Sequence, residues 1–151
     1  MTFRQAPRTF ASVFTLFTAL ALNVNFAQPA SAQTETVLYS FCPTGGWCAG
    51  GAQPEGGVIA DSSGNLYGAT VYGGKGVGGV AFEVSVTGEE SLLYKFSAAP
   101  PYGSEPDGQL ILDQQGNLYG TTSRGGTNSI HLPRGDGTVF KLSPDGTETT
   151  L

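Results

Sequence analysis

The chain has 151 residues, carries seven Lys or Arg against twelve Asp or Glu for a net charge of −5, and contains 23 glycines and nine prolines. Glycine costs about 1 kcal/mol relative to alanine inside a helix, so this composition excludes a mainly helical protein and suits a loop-rich all-β one. Regularly spaced aromatic and β-branched segments exclude a disordered chain.

The first 32 residues have the form of a secretory signal. Arg4 and Arg8 give a basic start, Phe10 to Leu22 is a mostly apolar run, and Ala30-Ser31-Ala32 has the small-x-small form of a cleavage site. That run spans 13 residues, short of the roughly 20 that cross a bilayer, so no stable membrane span is expected after cleavage. Cleavage after Ala32 leaves 119 residues with five basic and twelve acidic side chains, a charge of −7. Such a charge repels nucleic acids and anionic membranes over the distances at which it steers encounter. The expected location is outside the cell or on its surface.

Cys42 and Cys48 in "FCPTGGWCAGG" are the only cysteines. In an oxidising compartment they are expected to form a disulfide, a local staple worth about 2 kcal/mol by the chain-entropy relation. With His131 the sole histidine and far away, the soft ligands are too few for zinc.

Residues 53–74, "QPEGGVIADSSGNLYGATVYGG", align with residues 105–126, "EPDGQLILDQQGNLYGTTSRGG", at 12 of 22 positions without a gap. The register continues at a longer offset through "VAFEVSVTGEESLL" and "TVFKLSPDGTETTL", and backwards through "VLYSF" and "LLYKF". The chain is therefore organised as signal (1–32), an N-terminal strand with the cysteine loop (33–57), repeat 1 (58–104) and repeat 2 (105–151, incomplete at its C-terminal side).

Each repeat predicts four short strands, near Val58 to Ala60, Asn65 to Val71, Val80 to Val86 and Ser91 to Phe96 in the first copy. Asp61 and Gly64, with Asp113 and Gly116 in the second copy, mark a four-residue hairpin: Asp caps backbone amides and Gly takes the positive φ. A second tight turn is expected at "VTGE" and at Ser143 to Gly146. Phe82 and Val84 alternate with Glu83, and Phe140 and Leu142 with Lys141, as in strands with one drier face. Gly68 and Gly120 fall inside a strand, where close packing of neighbouring sheets is the expected reason. Tyr67 and Tyr119 are expected in the core between blades.

Four antiparallel strands per repeat of about 50 residues, covered on both faces, point to β-propeller-like blades. "DSSGNLYGATVYGG", "DQQGNLYGTTSRGG" and "DGTVFKLSPDGTETTL" resemble the Gloeo/Verruco extracellular tandem repeat family over about Val37 to Leu151. The resemblance implies export and tandem arrays with a propeller-like fold; it implies no catalytic residues and no cofactor. A propeller ring takes about four to eight blades and two are written here, so an incomplete or truncated propeller is expected.

No catalytic set emerges. Each Asp turn offers one carboxylate, too few for a calcium loop, which wants several oxygens, and "YGGKGVGG" lacks the helix and Lys-Ser/Thr pair of a phosphate loop. The candidate ligand contacts are Arg124, His131, Arg134 and Asp136, around the loop "TNSIHLPRGDG" that differs most between the copies. The expectation is an exported repeat protein that presents a binding or scaffold surface to an extracellular glycan or protein, without metal, cofactor or chemistry of its own. The alternatives are the N-terminal part of a secreted enzyme acting on glycans and a non-functional fragment of a longer array.

Overall fold

A computed structural model describes residues 34–43, 48–74, 78–97, 102–126 and 135–151. Glu35–Leu151 form one compact unit of two four-stranded sheets without helices among the described residues. The first sheet holds β1 (Ile59–Ala60), β2 (Leu66–Thr70), β3 (Val80–Val84) and β4 (Glu90–Lys95). The second holds β5 (Ile111–Leu112), β6 (Leu118–Thr122), β7 (Thr138–Leu142) and β8 (Glu148–Thr150). Both are antiparallel meanders in strict chain order, and the two sheets are separate, neither closing on itself.

The turns explain the order. Between β1 and β2, Gly64 N–H donates to the Asp61 carbonyl at 3.1 Å with Gly64 at φ 87°, and Gly116 does the same to Asp113 at 3.1 Å and φ 82°. That backbone region is open to glycine at no steric cost, which fixes a short hairpin at both places. Between β3 and β4 the turn is Ser85 to Gly88, closed by Gly88 N–H on the Ser85 carbonyl at 2.9 Å, and its counterpart is Ser143 to Gly146. The first copy's turn thus starts one residue earlier than the expected Val86 to Glu89. Val86 keeps its side chain 62% exposed, as a turn position requires.

The strand interiors bury what the alternation selects. Phe82, Val84, Phe140 and Leu142 are all buried, while Glu83 and Lys141 are partly exposed. Ala69, Ala81 and Phe96 from the first repeat and Leu110, Leu118, Phe140 and Leu142 from the second make one core between the sheets. Phe96 meets Phe140 edge-on, with ring centroids 4.9 Å apart and planes at 64°. Ahead of the first sheet, Phe41 meets Phe82 at the same 4.9 Å and 64°. Backbone joins the repeats as well, since Glu105 N–H donates to the Gly78 carbonyl at 2.8 Å.

One expectation is corrected. Gly68 and Gly120 are small because of a ring in their own sheet: each is paired in register with a phenylalanine, Gly68 with Phe82 and Gly120 with Phe140. A Cβ on Gly68 falls 2.5 Å from Phe82 Cζ, and on Gly120 it falls 2.6 Å from Phe140 Cζ. The outer end of the cross-strand ring sits against the glycine, so the constraint comes from inside the same sheet. Only at Gly120 does the preceding part of the same repeat add to it, with Leu110 Cδ2 at 2.8 Å.

Candidate functional site

The residues repeated most faithfully build a hydrogen-bonded cage at one end of each sheet. Asp61 Oδ1 accepts the backbone N–H of Ser63 at 2.8 Å and of Asn65 at 2.9 Å, while Oδ2 accepts Asn65 Nδ2 at 3.0 Å and the Tyr67 hydroxyl at 3.1 Å. Asp113 repeats every bond with Gln115, Asn117 and Tyr119. A carboxylate that accepts several hydrogen bonds is favoured in its ionised form. At Asp61 desolvation works to raise the pKa, and the Asn65, Ser63 and Tyr67 donors together outweigh it and hold the group below the usual carboxylate range. At Asp113 the Asn117 side-chain amide is the largest influence and the result is again a lowered value. Tyr67 is pushed up to about 12, first by desolvation, then by the charges of Glu83 and Asp61.

The cages stand at the rim of a groove of about 1080 Å³ between the two sheets. Its floor is apolar, with Ile59, Leu92, Leu93, Leu110, Leu112 and Leu142, and Asp61, Asp113 and Asp145 stand around it. The Asp145 carboxylate accepts Thr147 N–H at 3.0 Å, and that backbone bond is the main reason its pKa is lowered. All three carboxylates are thus acceptors fixed in place by their own turns.

Arg124 and Asp136, on either side of residues 127–134, are not among the residues that line this groove. Arg124 is engaged by Glu105 of the same repeat, with Nε 3.0 Å from Oε2. The two residues also flank a backbone bridge in which Ser104 and Arg124 exchange hydrogen bonds at 2.9 and 3.1 Å. Asp136 is exposed and lines a second, smaller hollow of about 550 Å³ with Tyr102, Val139, Glu148 and Leu151. His131 and Arg134 lie outside the described residues. Cys42 and Cys48 are joined in a disulfide. Among the described residues no group of three His, Cys, Asp or Glu is placed to hold a metal ion, and no helix is long and apolar enough to cross a membrane.

Turn chemistry alone does not single out Asn65 and Asn117, which donate to the carboxylates from the side, or the hydroxyls of Tyr67 and Tyr119. The signal was present as an Asp, Asn, Tyr series at spacing i, i+4, i+6, written identically in both copies. In a hairpin that spacing brings all three to the same end of adjacent strands.

Fold and site together define a tandem-repeat all-β protein, whose repeated polar residues are spent on shaping a rim between consecutive sheets. The chain belongs to the Gloeobacter/Verrucomicrobia repeat family, whose model matches residues 24–151. No curated protein matches the chain at a meaningful level of similarity.

Proposed function

We infer that the chain is an exported repeat protein whose sheets are propeller-like blades, and that it works as a binding surface for an extracellular glycan or protein without catalysing a reaction. The groove between the sheets carries this reading. Its volume of about 1080 Å³ is of the size that holds small ligands, and it pairs an apolar floor with a few fixed polar groups, the usual make-up of such sites. Sugar hydroxyls are donors that fit the Asp145 carboxylate, which keeps acceptor capacity beyond its bond from Thr147, and sugar ring faces suit the leucine-lined floor.

The state of the same carboxylates supports the non-catalytic reading. A glycosidase needs one carboxylic acid with a raised pKa to protonate the leaving oxygen. Asp61, Asp113 and Asp145 are all shifted the other way, so none holds a proton near neutral pH. Export is supported by the N-terminal signal pattern together with the Cys42–Cys48 bridge.

A glycan array on the purified chain, followed by product analysis on every captured glycan, tests the reading. Retention without cleavage is expected, and retention must fall when Leu112→Glu closes the groove floor. Cleavage of a captured glycan overturns the non-catalytic part, and retention unchanged by Leu112→Glu overturns the assignment of the groove.

A further inference from the structure

The hairpin end of each sheet collects negative charge. In the first sheet Ala60, Leu66, Val84 and Glu90 stand in one row across the strands, and in the second Leu112, Leu118, Leu142 and Glu148 do the same. The turns beyond these rows carry Asp61 and Glu89 in the first copy and Asp113 and Asp145 in the second. Lys141, one step inside its row, is the only basic residue near this end among the described residues. Lys95 and Arg124 stand at the far ends of β4 and β6.

The groove between the sheets is lined by three of these turns. Its lining holds Asp61, Glu83, Asp113 and Asp145 and, among the described residues, no Lys, Arg or His. None of the four carboxylates is in an ion pair among the described residues. They differ in what a ligand meets. Asp61 and Asp113 spend their oxygens on their own hairpin amides and on the neighbouring Asn and Tyr side chains, so they offer charge rather than lone pairs. Asp145, exposed in its turn, and Glu83, partly exposed on β3, keep acceptor capacity as well. A neutral ligand laid over such a rim strips water from the carboxylates with nothing to replace it, and an anionic one is repelled. A cationic ligand restores the lost solvation with charge-assisted hydrogen bonds. Ser62, Gln114 and Ser143 stand at the same rim with hydroxyl and amide groups that both donate and accept, as sugar hydroxyls require.

We propose that the ligand of this groove is an amine-bearing glycan, a run of amino sugars whose nitrogens are free and protonated; the proposal rests on the reading of the groove as a glycan site. The ammonium groups face Asp145 and Glu83, and the sugar rings lie on the floor of Leu92, Leu112 and Leu142. Asp61 and Asp113 attract the chain from a distance without bonding to it. Complementary charge of this kind speeds encounter, excludes ligands of the wrong sign and weakens as salt rises. The same field turns away glycans built from uronic acids or carrying sulfate.

Calorimetric titration of the chain recovered after export with a glucosamine hexamer, its fully N-acetylated form and a galacturonate oligomer of similar length tests this. Acetylation removes the charge and keeps the ring, so the free-amine hexamer is expected to bind about tenfold more tightly than the acetylated one, and the galacturonate not at all. Asp145→Asn keeps an acceptor for Thr147 and removes a charge, and Glu83→Gln removes one on β3. Each is expected to weaken the free-amine hexamer several-fold and to leave the acetylated one unchanged, with the wild-type circular dichroism retained. Leu112→Glu fills the floor but adds a negative charge, so loss of the free-amine hexamer in that variant marks docking in the groove rather than loose attraction to an acidic surface. Equal affinity for the two hexamers, binding of the galacturonate, or indifference to both charge-removing variants overturns the proposal; the groove reading survives that result when Leu112→Glu still abolishes binding. Binding of the free-amine hexamer that persists in Leu112→Glu overturns both. A peptide of alternating lysine and leucine that binds only with an intact floor, where the glucosamine hexamer does not bind, overturns the choice of a glycan in favour of a protein.

Discussion

Tyr67 donates its hydroxyl hydrogen to Asp61 Oδ2 at 3.1 Å, linking the side of a strand to the turn that starts it. Asp61 accepts three further bonds and Tyr67 supplies only one, so Asp61→Ala is expected to lower the urea midpoint more than Tyr67→Phe. Asp61→Asn is expected to fall between them, because the amide keeps one acceptor. Urea titrations of the three variants followed by tryptophan fluorescence or circular dichroism check the order; equal midpoints for Asp61→Ala and Tyr67→Phe would show that the backbone bonds of the cage carry no weight.

Stability is expected to fall at both ends of the pH range. The folded pKa values of Asp61, Asp113 and Asp145 lie below the ordinary 3.8. Between the folded and unfolded values the unfolded chain binds more protons, so this stabilisation is full above about pH 4 and is lost as pH drops through the folded values. Tyr67 has the opposite sign, because its folded value of about 12 lies above the unfolded 10.0. Its contribution is full below pH 10 and is lost as pH rises towards 12. Thermal melts across pH check both limbs, and Tyr67→Phe should flatten the alkaline one.

Gly120→Ala places a methyl 2.6 Å from Phe140 Cζ and 2.8 Å from Leu110 Cδ2, both in the closed core. Forcing a methylene into such packing costs about 1–3 kcal/mol. Phe140→Leu in the same chain removes the ring, so the double variant is expected to lose less than the sum of the single losses, a coupling that a double-mutant cycle in urea reads directly.

Phe140 is fully buried, meets the Phe96 ring of the first repeat and sits against Gly120 of its own, so Phe140→Ala is expected to cost about 3–5 kcal/mol. Reduction of Cys42–Cys48, whose cysteines are six residues apart, should cost only about 2 kcal/mol. The comparison of the two unfolding free energies decides whether the chain is held by its inter-sheet core or by its bridge; a larger effect of the bridge contradicts the packing described here.

Much of the architecture was legible because it is written twice. The Asp to Gly hairpins, the alternation of Phe82 and Val84 and the four-strand unit all follow from local rules that a repeat displays side by side. What escaped was long-range. Nothing local tells that Phe82 lies over Gly68, because strand register joins residues 14 apart. The groove was also invisible, since Leu92 and Leu112 are apolar positions like any others until two sheets open a wedge between them. Arg124 stands beside the loop that varies most between the copies, and it is engaged by Glu105, which no spacing rule reveals.

The strict chain order of both meanders bears on how the molecule acquires its shape. Every strand pairs only with its neighbours in sequence, so the longest connection a sheet has to close is residues 123–137 between β6 and β7. Chains with such local pairing meet a smaller entropic barrier than sandwiches that pair distant strands, and they fold faster for their size. Each sheet is thus a unit able to assemble as soon as its own stretch of about 40 residues is available, with the Phe96 ring waiting at its end to seed the next. Lengthening such a protein by further repeats adds mass without adding to the difficulty of any single step.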